Sequence, residues 1–409
     1  MKEAWIIDAA RSPRGIGRVG KGSLVGIHPQ RILAQLLEAL TTRTGMDRKH
    51  IDDVIIACGT QFGEQGYCIA RMAALDGGLD ASVPGLTVDR FCGGGLSAVS
   101  LAAMAILSGQ QQCVIAGGVE SMSHSSTLPA RGLVDSGNLH LRAIHPQPHQ
   151  GICADLIATL EGISRVDVDQ YACSSQQRAA AAIENNWFAR SIVPIHADDD
   201  RLALSRDEYP RPSTTLEGLA TLKPAFAALY DASFDHTGET MRDLVERRYS
   251  GVEIHHVHHA GNSSGVVDGA AAVLVVSPDY AKAHGLRPRA RIRAMTTVGV
   301  DPTLMLNGPV PATQRVLANA GMALKDIDLF EVNEAFAVVP LKFMRDLNID
   351  PAQVNVNGGA IALGHPIGAT GAMLVGTMLD ELERRDESTG LITLCAAGGM
   401  APAMIIDRI

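Results

Sequence analysis

Gly85-Leu86-Thr87-Val88-Asp89-Arg90-Phe91-Cys92-Gly93-Gly94-Gly95-Leu96-Ser97-Ala98-Val99-Ser100 runs from a strand through a tight turn into a helix. Gly85–Asp89 is short, apolar and β-branched, which predicts a buried strand. From Gly93 to Ser108 the residues Leu96, Val99, Ser100, Ala103 and Leu107 recur at i, i+3, i+4, i+7 and i+11, the period of a helix. Cys113–Gly117 is a second apolar run of strand length. Strand, helix and strand in that order predict parallel pairing with the helix covering the sheet.

The same alternation extends in both directions. Ala4–Asp8 and Val54–Ala57 read as strands, with helical patterns near Gln30–Leu40 and Cys68–Leu75. It returns near the C-terminus. Ala290–Met295, Leu329–Asn333, Leu391–Cys395 and Ala403–Asp407 read as strands, and Pro311–Ala320, Glu334–Leu347 and Ala369–Glu383 as helices. Pro311 suits a first turn, whereas Pro340 is expected to kink its helix. Two α/β halves of similar plan thus flank a middle of different character, roughly Ser121–Asn262. That middle is richer in His, Pro, Asp and Arg and has one clear helix near Asp169–Asn185. Apolar residues recur throughout it, as expected of an inserted lobe rather than a linker.

Composition bounds the function. At 409 residues, 46% hydrophobic, the chain is too long for one ordinary core and too apolar for disorder. Aromatics are only 4%, so the cores must be built from Ala, Val, Ile and Leu. A net charge of −9 argues against a nucleic-acid partner, which needs a basic face. Apolar runs fall short of the ~20 residues of a membrane span, and the N-terminus resembles a strand rather than a signal peptide. The seven Cys form no C-x-x-C pair, which fits a reduced, cytoplasmic setting.

Four loops carry chemistry. Cys92 sits between a strand and a helix, where free amides and the helix dipole favour a thiolate and glycines admit a substrate. In Asn355-Val356-Asn357-Gly358-Gly359-Ala360-Ile361-Ala362-Leu363-Gly364-His365-Pro366-Ile367-Gly368-Ala369-Thr370-Gly371 a single His stands among glycines, placed to move protons near neutral pH. Leu394-Cys395-Ala396-Ala397-Gly398-Gly399 puts a second Cys at a strand end. Glu331-Val332-Asn333-Glu334-Ala335-Phe336 marks a strand-to-helix joint, where Asn333 suits an N-cap. Two other motifs carry less. Gly15-Ile16-Gly17-Arg18-Val19-Gly20 spells a dinucleotide fingerprint, but Lys21-Gly22-Ser23 extends the loop where a helix should open. His255-His256-Val257-His258-His259 splits its imidazoles between two faces of an extended segment, a poor metal cluster. No metal site is expected.

Taken together, these loops resemble the thiolase family, and the resemblance spans the chain from Asp8-Ala9-Ala10-Arg11-Ser12-Pro13 to Met404-Ile405-Ile406-Asp407. It implies a five-layer αβαβα fold of two duplicated halves with an inserted loop domain. Residues 1–121 with 263–287 would form the first half, 122–262 the loop domain over the CoA site, and 288–409 the second half. The implied activity is CoA-dependent thiolytic cleavage of 3-ketoacyl-CoA to acetyl-CoA and a shortened acyl-CoA, or the reverse Claisen condensation, in fatty-acid metabolism such as β-oxidation. Cys92 takes the place of the acylated nucleophile, His365 of its activator, Cys395 of the second acid/base, and Asn333 of the residue holding an oxyanion-hole water. Lys223 matches a position near the CoA phosphates and Ser264 the pantetheine loop. His149 precedes Gly151–Asp155, which resembles the segment over the acyl pocket, and Phe336 and Ala397 line the same region.

The resemblance further implies coenzyme A as substrate with no permanently bound cofactor, acyl-CoA and CoA as partners, and a homodimer or homotetramer with its site beside the dimer interface. Gly94 stands where the family usually has Ser, Ala397 where it usually has Gly, and the chain is extended between Phe226 and His259. Two other functions share some of these features. One is a ketoacyl-synthase-like condensing enzyme, against which Cys395 and the Asn333 loop argue. The other is a non-catalytic acyl-CoA-binding protein of the same fold, which would not need Cys92, His365 and Cys395 together.

Overall fold

The computed structural model describes residues 2–128 and 132–409; Met1, in the expected first half, and residues 129–131, in the expected loop domain, lie outside the described residues. The first half has strands β1 (Trp5–Arg11), β2 (Asp53–Ala57), β3 (Leu86–Val88), β4 (Cys113–Ser121) and β5 (Val267–Val276). They lie in the order β3-β2-β4-β5-β1, with β2 parallel to β3 and β4 and with β5 antiparallel to both neighbours.

The second half repeats this plan. Strands β6 (Ala290–Gly299), β7 (Leu329–Val332), β8 (Thr389–Thr393) and β9 (Met400–Arg408) lie in the order β7-β8-β9-β6, and Val354 bridges Phe330 in parallel where the first half has β3. Again the β7–β8 pair is parallel and β9 is antiparallel to both neighbours. The halves join through a short antiparallel pairing of Trp5 and Ile6 with Arg291 and Ala290.

Helices α1 (Pro29–Thr44) and α2 (Ile69–Asp76) cover the outer face of the first sheet, where Ile32, Leu33, Leu36 and Leu37 pack on Val54, Ile56 and Ile115. Helix α3 (Gly94–Ser108) and, much later in the chain, a 16-residue helix over Thr370–Arg385 lie between the two sheets, with Leu96 and Val99 against Met373 and Val375. Between them come α4 (Gln150–Glu161) and α5 (Arg165–Glu184) of the lobe, then α6 (Pro309–Ala320) and α7 (Val338–Leu347) on the outer face of the second sheet; Thr370–Arg385 is α8. The result is five layers, αβαβα.

Close approach of the two central helices depends on missing side chains. A Cβ on Gly95 would stand 2.8 Å from the Gly368 carbonyl oxygen, and one on Gly371 only 2.1 Å from the Leu96 nitrogen. The glycines after Cys92 therefore serve helix packing more than substrate approach. Gly94 has a similar reason, since its Cβ would lie 2.8 Å from that of Ala57. Gly371→Ala is expected to lower stability by about 1–3 kcal/mol through overpacking. Chemical denaturation at constant m-value would show it, and an unchanged midpoint would mean that the helices slide apart freely.

Three expectations need correction. The sequence reading assigns no strand to β5, which is fully buried between β4 and β1. The helix expected from Glu334 begins at Val338, so Pro340 falls in the first turn, where its missing N–H costs nothing and no kink follows. Phe91–Ser108, 18 residues, is long and apolar enough to cross a bilayer, but 67% of it is buried within the fold.

After β4 the chain leaves the sheet and returns at β5. In between lie α4, α5, a two-stranded ribbon and short helices. The extension past Phe226 is built rather than loose. Tyr230, Met241, Leu244 and Val245 pack on Ile152 and Leu156 of α4.

Candidate active site

The turn after β3 is bent sharply. Phe91 adopts φ +47°, a conformation that a bulky residue adopts only at a cost, and the Asp89 carboxylate accepts its N–H at 2.7 Å. Cys92 follows in a single 3₁₀ turn, immediately ahead of α3. It is buried, and the amide of Ala397 donates toward its sulfur. The expectation of a resting thiolate fails here. Burial first, and Glu120 second, push the Cys92 thiol up to about 12, outweighing the amides that draw it down. Burial thus favours the Cys92 thiol over the thiolate.

Cys395 lies two residues beyond β8, at the base of a hairpin in which Ala396 and Met400 exchange hydrogen bonds of 2.7 and 3.2 Å. Gly398 and Gly399 make that turn with φ of +78° and +72°. Burial, and then the nearby Cys92, raise the Cys395 thiol, so the two cysteines lie close to each other.

His365 is fully enclosed. Its backbone N–H is held by the Gly265 carbonyl at 2.9 Å, and Gly364 beside it, at φ +95°, leaves no room for a side chain against Val267. Nδ1 lies 2.6 Å from Oγ1 of Thr370, and the Thr370 hydroxyl donates to the Pro366 carbonyl at 2.9 Å. With its one proton so engaged, Thr370 accepts from Nδ1–H, leaving Nε2 as the bare nitrogen. Asn333 Nδ2 points at Nε2 from 3.4 Å. Burial, and then the positive Arg14, push the His365 imidazole down to about 4.

Asn333 is not the helix cap that its position suggests. Its backbone N–H reaches the Thr393 carbonyl at 3.1 Å, beside the Cys395 loop, and its Oδ1 is buried with no partner. The next loop residues are fixed from behind. Glu334 accepts from Tyr171 Oη, Ser175 Oγ and Asn355 Nδ2, and from the Ile361 amide, tying the lobe to the turn that leads to His365. Glu120 does the same on the other side, bridging the amides of Gly59 and Gly368 at 2.8 and 2.9 Å. Sequence reading missed Thr370, Glu120 and Glu334. Each is a common polar residue whose role depends on partners far away in the chain.

The remaining candidates are spread along one path. His149 caps α4 and its ring is 5.4 Å from that of Phe226, which lies 5.9 Å from Phe336. Ser264 is tied to the Ala335 carbonyl at 2.9 Å. Lys223 is exposed with no ion pair among the described residues. The histidine cluster lies in no strand. His256 and His258 each place Nδ1 2.8 Å from a different oxygen of buried Asp155, and His259 pairs with Asp169. Although burial raises the Asp155 carboxyl, the two imidazoles hold it below its ordinary value. Among the described residues no group of three or more His, Cys, Asp or Glu could hold a metal ion.

Known proteins match the chain over its whole length. The family model described as "Thiolase, N-terminal domain" matches residues 4–229, and "Thiolase, C-terminal domain" matches residues 286–408. The chain is 41% identical to "Beta-ketoadipyl-CoA thiolase" of Escherichia coli over 430 aligned positions, covering 100% of both. It is 39% identical to "3-ketoacyl-CoA thiolase" of Bacillus subtilis (strain 168), again over 100% of both. A crystal structure of the Bacillus anthracis acetyl-CoA acetyltransferase superposes with a TM-score of 0.83 at 34% identity, covering 100% of this chain and 99% of that one.

Proposed function

The chain belongs to the thiolase family, and from that premise we propose that Cys92, His365, Cys395 and Asn333 carry its reaction. It is an acyltransferase that cleaves 3-ketoacyl-CoA thiolytically with CoA as the second substrate. The observations that carry the residue assignment are that Cys395 and the Ala397 amide lie at Cys92, and that Asn333, bonded to Thr393 beside Cys395, also contacts His365.

The resting pair is a thiol and a neutral imidazole, with affinities for the proton set far apart by burial. A free thiolate is therefore not stored. The proton leaves Cys92 for His365 Nε2 as the sulfur bonds to the 3-keto carbon, and the developing oxyanion is met by preorganised donors. The Ala397 and Cys92 amides stand near the sulfur, and the orphaned Asn333 Oδ1 is placed to hold a water. One such donor is typically worth ~3–4 kcal/mol. The C2–C3 bond then breaks. Cys395 protonates the departing acetyl-CoA carbanion and, now a thiolate, takes the proton of incoming CoA, whose sulfur displaces the acyl group from Cys92. The reverse sequence is a Claisen condensation. The experiment that tests the assignment is peptide mapping after brief exposure to an acyl-CoA. The adduct belongs on Cys92, and an adduct on Cys395 would refute the roles. A carrier-dependent condensing enzyme or a silent binding protein has no observation in its favour.

Thr370 is a positioning residue for His365 in this scheme. Thr370→Val removes the acceptor of Nδ1–H and frees the imidazole to turn over. A fall in kcat of about 10–100-fold with little change in KM is expected, with Thr370→Ser restoring most of it. Equal losses in Val and Ser variants would mean that the methyl packing, not the hydroxyl, matters.

The division into residues 1–121 with 263–287, 122–262 and 288–409 suits the topology, because the lobe is inserted in the chain between β4 and β5, which pair side by side in the first half. Ser264 and Lys223 are assigned to pantetheine and to the CoA phosphates, and His149 and Phe336 to the acyl pocket. A homodimer or homotetramer is supported by the free edge at β3. Leu86 is 46% exposed on it, with Tyr67 at 90% and Met104 at 51% on neighbouring segments. Light scattering at micromolar concentration should give at least a dimer; a monomer throughout would refute it.

A further inference from the structure

Gln147 is a polar side chain that the catalytic scheme leaves unused. It is 7% exposed, yet neither its Oε1 nor its Nε2 has a hydrogen-bond partner among the described residues. Its Oε1 stands 3.8 Å from the Cβ position of Gly398, one residue past the Ala397 amide that reaches Cys92. Gly398 and Met400 are partly exposed, so the carboxamide meets open space at the Cys395 hairpin.

The segment that presents it is stiff and anchored on both sides. Pro146 and Pro148 flank Gln147 and restrict the backbone. The Pro146 carbonyl accepts from Thr303 Oγ1 at 2.7 Å, and the Pro148 carbonyl accepts from Cys153 Sγ at 3.5 Å. Neither amide atom is fully enclosed, so water can serve it, and a ligand that covers the amide without pairing it forfeits those hydrogen bonds. The charge tied to this segment is negative. Asp301 accepts the Thr303 N–H at 2.9 Å and the Tyr249 hydroxyl at 2.6 Å. The nearest arginine in sequence, Arg142, is committed to Asp135, Asp235 and Glu239.

We infer that Gln147 is a specificity-determining residue that hydrogen-bonds an uncharged oxygen or amide group on the acyl chain, so that the preferred substrates are 3-ketoacyl-CoA thioesters carrying a neutral polar function. A plain alkyl chain leaves the carboxamide unpaired. An ω-carboxylate meets the field of Asp301, while Arg248, the cation beside Tyr249, is exposed and screened by solvent. The inference rests on the assignment of Cys92 and the Cys395 hairpin to the reacting centre.

The test uses the full-length protein and three six-carbon 3-ketoacyl-CoA thioesters, ending in a methyl group, a primary carboxamide or a carboxylate, with acetoacetyl-CoA as reference. The expected order of kcat/KM is carboxamide, methyl, carboxylate. Gln147→Leu should lower the carboxamide-to-methyl ratio by about 10-fold or more, the loss of roughly one hydrogen bond. The ratio is internal to each variant, so a general loss of activity does not obscure it, and Gln147→Asn gives a second reading with the amide withdrawn by one carbon. An unchanged ratio in both variants, or a wild-type preference for the carboxylate, overturns the inference while acetoacetyl-CoA turnover still supports the site assignment. No cleavage of any thioester, acetoacetyl-CoA included, overturns both.

Discussion

Cys92→Ser protein is expected to fold normally, to carry no acyl group after exposure to an acyl-CoA, and to lose thiolysis by about 10⁴-fold or more. The argument is one of proton affinity in a buried site. Even for sulfur, burial lifts the Cys92 thiol to about 12 while lowering His365 to about 4. Transfer succeeds for a thiol only because C–S bond formation and the oxyanion donors draw the proton across. A hydroxyl starts several units higher and in the same desolvated turn, so His365 is too weak a base to complete the step. The substitution changes little else, since Ser is nearly isosteric and the turn is set by Phe91 and Asp89 rather than by the cysteine. Intact-protein mass spectrometry with acetyl-CoA reads the adduct directly. Acetylation of the Ser variant at wild-type rate would move the nucleophile to another residue.

The duplicated plan was legible because each half spends its apolar residues in the same order, strand, turn, helix, strand. The loops at the strand ends stood out only in combination: alone, a cysteine or histidine among small residues at such a joint is more often structural. β5 was not legible. It arrives after the lobe and inserts between β1 and β4, and its small residues, Gly269-Ala270-Ala271-Ala272, look unlike a strand until two neighbours are packed on it. The start of α7 was misread because tertiary bonds override local helical preference. The Ala335 carbonyl is taken by Ser264 N–H and the Ala337 N–H by Asn262, so residues 334–337 bend instead.

The charge state of Cys92 was misread for a different reason. Helix-terminal amides act over one turn and are worth less than complete desolvation. The histidine run was partly legible. Alternation placed His256 and His258 on one side, and there they share Asp155, but only the fold brings Asp155 from α4 to meet them.

Cys395→Ala separates the two halves of the chemistry. Acyl transfer from a simple acyl-CoA to Cys92 breaks no carbon–carbon bond, so it needs the nucleophile, His365 and the oxyanion donors, all of which remain. Cleavage of a 3-ketoacyl-CoA also needs a proton delivered to C2 of the leaving acetyl-CoA, and condensation needs one removed from it. Cys395 is placed for that role. It is buried, close enough to Cys92 for each sulfur to feel the other, and at the base of a hairpin fixed by the Ala396–Met400 bonds. Its raised thiol is a proton donor that gives up its proton only to a carbanion as basic as the one formed there. The variant should therefore show the acetyl adduct on Cys92 while thiolysis and condensation fall by about 10²–10⁴-fold, the range of a lost general acid/base. Ala at this position also removes the neighbouring ionisable sulfur, so adduct formation should be no slower than in the wild type. If the Cys395→Ala protein carries no adduct while Cys92→Ser does, the roles of the two cysteines are exchanged. If both reactions fall together, Cys395 supports the nucleophile itself rather than the carbon acid.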